Sequence, residues 1–153
     1  MDQKQRAIDK IREFNRFYMP ALGLLGNRYL GSAYSPAEAR VLCEVYRQDG
    51  CNAAHIARVM NLDKSYLSRI LKGHEKNGYL VKTKSEADSR SFAIHLTDLG
   101  VQVTEDFIRK SNRQIGRIIE SLDEDASARL VDAMNTIISI LERGDCSESG
   151  YRV

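Results

Sequence analysis

The chain has 153 residues, of which 42% are hydrophobic and 29% charged, with only two prolines. That is the size and composition of one soluble, helix-rich domain able to bury a core. No run approaches the roughly 18 apolar residues that a membrane-spanning helix needs. Asp2, Lys4, Arg6, Asp9, Lys10, Arg12, Glu13 and Arg16 leave no apolar centre for a secretory signal, so a cytoplasmic location is expected and no membrane partner. The formal net charge of +2 is unevenly spread: from Arg58 to Phe92 there are eight basic residues against four acidic ones. A basic centre with slightly acidic flanks suits a protein that meets a polyanion through one region.

In chain order, residues 5–25 place Ile8, Ile11, Phe14, Tyr18, Leu22 and Leu25 at spacings of three and four, one apolar stripe on a helix. Phe17 and Met19 widen it, and Pro20 is expected to kink or divide it. Ser35-Pro36-Ala37-Glu38 is a helix start, with serine as cap, proline in the first turn and glutamate closing a capping box. That helix carries Val41, Leu42 and Val45 to a stop near Asp49-Gly50. A short, alanine-rich helix begins after Asn52. Asn61-Leu62 turn the chain, and Asp63 caps a third helix over residues 64–77, which Gly78 ends. The period then changes. Residues 79–83 and 90–96 read as two strands joined by a charged loop, a β-hairpin of about eighteen residues. Thr97 can cap a following helix with Val101, Val103, Phe107 and Ile108. Ile115, Ile118, Ile119 and Leu122 make another stripe, and after an acidic break Leu130, Met134, Ile137, Ile138 and Leu141 repeat it. Residues 144–153 are expected to be a flexible tail.

Helix, short helix, turn, helix and hairpin is the order of a winged helix-turn-helix: mainly α, with a small β-hairpin wing. A single helix fits the major groove of B-DNA. On the helix over 64–77, Leu67, Ile70 and Leu71 can face inward, leaving Lys64, Ser65, Tyr66, Ser68, Arg69 and Lys72 on the open side. Hydroxyl and guanidinium groups there suit bases and phosphates. The wing offers Lys82, Lys84, Asp88, Ser89, Arg90 and Ser91, and an arginine at its tip suits the minor groove. Asp88 could hold that arginine or brace the wing.

The run Asp63-Lys-Ser-Tyr-Leu-Ser-Arg-Ile-Leu-Lys-Gly-His-Glu-Lys-Asn-Gly-Tyr-Leu-Val, with Asp88-Ser-Arg-Ser and His95-Leu-Thr-Asp-Leu-Gly, resembles the MarR family of regulators. Arg12-Glu-Phe-Asn-Arg-Phe-Tyr and Leu22-Gly-Leu-Leu resemble the subgroup in which such a domain precedes an acetyltransferase, here expected without it. His74 and Lys82 depart from the family pattern, which has an apolar residue and, more often, arginine. The resemblance implies a ligand-responsive homodimeric repressor of double-stranded DNA on a pseudo-palindromic operator. It implies one MarR-like domain over 1–153, with its winged part at 32–98 and dimerisation helices at 5–30 and 99–143. Ile8, Ile11, Phe14, Ile115, Ile118, Ile119, Leu130, Met134, Ile137, Ile138 and Leu141 are the expected dimer residues. The apolar surface of these helices independently exceeds what one small winged domain can cover. A small aromatic effector is implied as well, with Phe17, Tyr18, Tyr29 and Tyr34 as candidate pocket residues.

Other chemistry finds less support. Cys51 and His55 lie four apart but have no third metal ligand, and no cofactor is expected. Cys43, Cys51 and Cys146 are expected to be reduced thiols. There is no nucleophile–base pairing and no phosphate-cradling loop, so the chain is not expected to be an enzyme. The alternatives are a winged-helix protein-interaction module and a redox-sensing regulator using Cys51.

Overall fold

The computed structural model describes residues 2–26 and 28–143. Six helices and one hairpin follow in the order α1 (Gln3–Ala21), α2 (Pro36–Arg47), α3 (Ala53–Met60), α4 (Lys64–Lys76), β1 (Leu80–Lys84), β2 (Phe92–Leu96), α5 (Asp98–Glu120) and α6 (Glu124–Arg143). The chain divides into two compact units, residues 1–108 and 109–153, with α5 crossing the division. No helix among the described residues is long and apolar enough to cross a membrane.

In the first unit, local hydrogen bonds start the helices where the sequence offers a cap. Ser35 Oγ accepts from the Glu38 amide at 3.2 Å and the Glu38 carboxylate accepts from the Ser35 amide, a complete capping box on α2. Asn52 caps α3 and Asp63 caps α4. Between them Asn61 takes the left-handed conformation at φ 50°, which lets the chain reverse within two residues. Gly78, at φ 77°, does the same after α4.

The core of this unit joins Val41, Leu42 and Val45 of α2, Ile56 of α3, Leu67, Ile70 and Leu71 of α4, Leu80 of β1, Ile94 of β2 and Phe107 of α5. Helix α3 is only eight residues long, too short to be stable alone, and is held by its packing against α2 and α4. The wing pairs antiparallel, with Leu80 opposite Leu96 and Lys84 opposite Phe92. Its strands begin one and two residues later than the sequence pattern suggests, because Tyr79 is taken up by the turn out of α4: its amide donates to the His74 carbonyl at 2.9 Å. The chain between α2 and α3 adds an edge to this sheet. The Gly50 amide donates to the Ile94 carbonyl and the Ile94 amide to the Cys51 carbonyl, both at 2.9 Å.

Helix α1 corrects one expectation. Pro20 does not divide it but lies in its last turn, and the helix ends at Ala21 instead of reaching Leu25. The Leu22 amide still donates to the Tyr18 carbonyl at 3.2 Å, and Gly23 at φ 64° then turns the chain away. None of the residues of α1 is buried, and the same holds for α6 in the second unit, whose first turn is capped by Asp123 through the Ala126 amide at 2.7 Å.

The wing and α5 meet at one tight point. Thr97 caps α5 by accepting from the Gly100 amide, and its hydroxyl donates to the Gly78 carbonyl at 2.6 Å. A Cβ on Gly100 would stand 1.9 Å from the Tyr79 carbonyl oxygen, which the Thr97 amide already holds at 3.0 Å. Backbone on both sides cannot yield cheaply. Gly100→Ala should therefore destabilise the protein by about 2–3 kcal/mol, read as a clear fall in Tm by circular dichroism. An unchanged Tm would mean that this approach does not constrain the fold.

Candidate nucleic-acid interface

The 3.6-residue period of α4 sorts its side chains. Leu67, Ile70, Leu71 and His74 are buried, while Lys64, Ser65, Tyr66, Arg69 and Lys72 are exposed and Ser68 is half-buried. The Arg69 guanidinium lies 5.6 Å from the centroid of the Tyr66 ring, so the tyrosine face steadies the arginine on the exposed side. On the wing, Lys84, Asp88, Ser89 and Arg90 are exposed and Ser91 is half-buried. Asp88 braces the tip through the main chain: its carboxylate accepts from the Arg90 amide at 2.9 Å, and its carbonyl accepts from the Ser91 amide at 3.1 Å. That is an Asx turn, which shapes the loop that carries Arg90.

Two contacts fix the wing against the helices. Lys82 reaches Glu75 of α4 at 3.6 Å, an exposed pair of small energetic weight. His95 Nδ1 donates to the Asp49 carboxylate at 2.9 Å, and its Nε2 lies 3.3 Å from the Thr83 hydroxyl. In the neutral ring Nε2 is then the acceptor. His95 thus ties both strands of the wing to the chain after α2. Sequence reasoning missed this link and the Gly50–Cys51 edge, since neither Asp49 nor Gly50 has any pattern pointing 45 residues downstream.

The aromatic residues expected to line a pocket fall in two places. Phe17 is 73% exposed on α1, and Tyr18 stacks on Phe14 with ring centroids 5.1 Å apart. Tyr29 and Tyr34 instead pack at the edge of the core against Phe107. The Tyr34 and Tyr79 hydroxyls are 2.8 Å apart, and this bond, with burial, pushes the Tyr34 hydroxyl up to about 12. Tyr34 also borders a cleft of about 250 Å³ with Glu38, Tyr66, Arg69, His74 and Asn77.

Of the apolar residues assigned to dimerisation, Ile11, Phe14, Ile115, Ile118, Ile119, Leu130, Ile137, Ile138 and Leu141 are exposed, and Ile8 and Met134 are half-buried.

A helix-turn-helix followed by a two-stranded wing defines the winged helix-turn-helix class. Residues 34–92 match the MarR family model. Among solved structures, the chain is similar to a mutant MarR from E. coli complexed with operator DNA, with a TM-score of 0.71 and 20% identity over 90% of this chain and 99% of that one. It is similar also to FabT of Streptococcus pneumoniae in complex with DNA, with a TM-score of 0.68 and 19% identity over 92% of this chain and 99% of that one. A Thauera aromatica protein provisionally described as a transcriptional regulatory protein for the hcr operon is 29% identical over 110 residues, 71% of this chain. The match spans about three-fifths of that curated relative's length, 61%. Over residues 34–92 the chain is thus similar to the MarR family of regulators.

The cysteines bear on the redox alternative. Cys51 is 5% exposed, and burial pushes its thiol up; Cys43 is half-buried and shifted the same way for the same reason. Oxidant sensing needs an accessible, activated thiolate, and Cys51 is neither. Cys146 and the tail expected at 144–153 lie outside the described residues. With iodoacetamide at pH 7.5, Cys51 should stay unmodified in the folded protein and react once it is unfolded. Peptide mapping by mass spectrometry reads this, and rapid native labelling of Cys51 would reinstate the redox reading.

Proposed function

We propose that this chain is a sequence-specific DNA-binding transcriptional regulator, a homodimeric repressor on a pseudo-palindromic operator. The observation that carries the reading is the reading helix itself: α4 buries its apolar side and leaves Lys64, Ser65, Tyr66, Arg69 and Lys72 exposed beside a wing whose tip bears Arg90. The match of residues 34–92 to the MarR family model supports it, as does the likeness in fold to proteins solved with DNA. In this reading Ser65, Ser68 and Arg69 address base edges, and Lys64, Tyr66 and Lys72 position the helix on phosphates. Arg90 enters the minor groove, with Lys84, Asp88, Ser89 and Ser91 supporting it.

Dimerisation follows from the apolar surface that α1 and α6 leave open, including Ile11, Phe14, Ile137, Ile138 and Leu141. Two identical heads then call for half-sites about one helical turn apart. A small aromatic effector completes the reading. Of Phe17, Tyr18, Tyr29 and Tyr34, Tyr34 is the one at the edge of the cleft beside α4. Such a ligand releases DNA only by preferring a conformation that misfits the operator.

Selection of bound duplexes from a random pool should return a sequence with dyad symmetry. On that duplex, Arg90→Ala should weaken binding about tenfold or more, while changes at Ser68 or Arg69 should alter the preferred bases. Affinity should fall steeply with added salt, since each phosphate contact releases counterions. Negligible affinity for every duplex at low salt would end the reading.

A further inference from the structure

His74 is the one titratable side chain on the buried face of α4, only 2% exposed. Its Nε2 lies 2.8 Å from the main-chain carbonyl oxygen of Glu38, in the first turn of α2. A carbonyl can only accept, so Nε2 carries the proton, and a neutral ring must leave Nδ1 bare. The imidazole packs beside the rings of Tyr34 and Tyr79, with centroids 5.9 and 6.0 Å away. Those tyrosines join each other through their hydroxyls, and the Asn77 amide donates to Tyr34 at 3.5 Å. The cluster thus links the start of α2, the end of α4 and the turn into β1. Arg69 and Tyr66 stand roughly one and two turns back along α4, on the same cleft.

We propose that His74 is a positioning residue for DNA binding: its Nε2–H bond to the Glu38 carbonyl sets how α4 stands against α2. The inference rests on the DNA-binding reading given above. Leucine at this position could fill the space, but it could not tie the helix at a fixed height. The charged and titratable groups around the ring are the Glu38 carboxylate, the Tyr34 and Tyr79 hydroxyls and, along α4, Arg69. Burial lowers the His74 pKa below its ordinary 6.5, and it outweighs the opposing pull of Glu38. The unfolded chain therefore takes up the proton first. The stability that neutral His74 contributes is complete above about pH 6.5 and declines as the pH falls below it, levelling off at the folded-state value.

The test compares the full chain with His74→Gln, whose amide can donate at the Nε2 position without titrating, and with His74→Leu. Between pH 7.5 and 5.5 the unfolding constant of the wild type should rise relative to that of His74→Gln, by up to about tenfold over the unit below 6.5. At pH 7.5, His74→Gln should bind the selected duplex within about threefold of the wild type, and His74→Leu should bind about tenfold more weakly. Full affinity in a folded His74→Leu overturns the proposal, and a pH profile identical in wild type and His74→Gln overturns the buried placement of the ring on which it rests. If His74→Leu does not fold, the glutamine variant still decides: lost affinity in His74→Gln, which keeps a donor at that place, refutes the latch. A wild type that binds no duplex refutes the DNA reading instead, and with it the positioning role, whereas the unfolding profile still reports the burial of the ring.

Discussion

The burial of one side of α4 is the constraint on which the rest of the reading head depends. Leu67, Ile70 and Leu71 meet α2, α3 and the base of the wing in a single core. At roughly 25 cal/mol per Å² of apolar surface removed from water, such a face outweighs any one surface contact. Because that side is committed, the other is free to vary in chemistry without cost to the fold. The helix can hold hydroxyls, a tyrosine and cations outward only because its inner side leaves it nowhere to rotate.

Around that core, small polar devices set angles and heights. The capping box of α2, the Asp63 cap of α4 and the Thr97 cap of α5 fix where each helix begins. Gly100 against the Tyr79 carbonyl fixes how closely α5 approaches the exit from α4. His95 with Asp49 and Thr83 holds the wing to the chain after α2. Each of the caps contributes about 1 kcal/mol, and together these devices set how the elements are oriented.

Much of this was legible because the signals are local. Ser35, Pro36 and Glu38 announce α2 within four residues, and Asp63 and Gly78 bracket α4 in the same way. Periodicity correctly put Leu67, Ile70 and Leu71 inside. What escaped is non-local. The Gly50–Cys51 edge is too short to have a period, and it pairs with a strand more than forty residues away. His74 stands out in sequence as a departure from the family pattern, but its partner carbonyl lies 36 residues upstream and belongs to the main chain, which has no letter of its own. The aromatic set falls in two places for a related reason. Ring type marks a side chain as apolar, but only the course of the chain after Pro20 separates Phe17 and Tyr18 from Tyr29 and Tyr34.

The two-stranded sheet has a further consequence, for solubility. Strand β2 is covered on both sides, by β1 and by the Gly50–Cys51 main chain, whereas β1 has β2 as its only strand partner among the described residues. Its other edge is a row of main-chain donors and acceptors of the kind that templates aggregation. Val81 and Phe92, both largely exposed, add apolar surface to this hairpin. Lys82 and Lys84 stand along the same strand, and a foreign strand laid on that edge would have to bury their ammonium groups. The cations that suit a polyanion thus also keep the wing from pairing with wings of other molecules, and the two demands on β1 cannot be separated by neutralising its lysines.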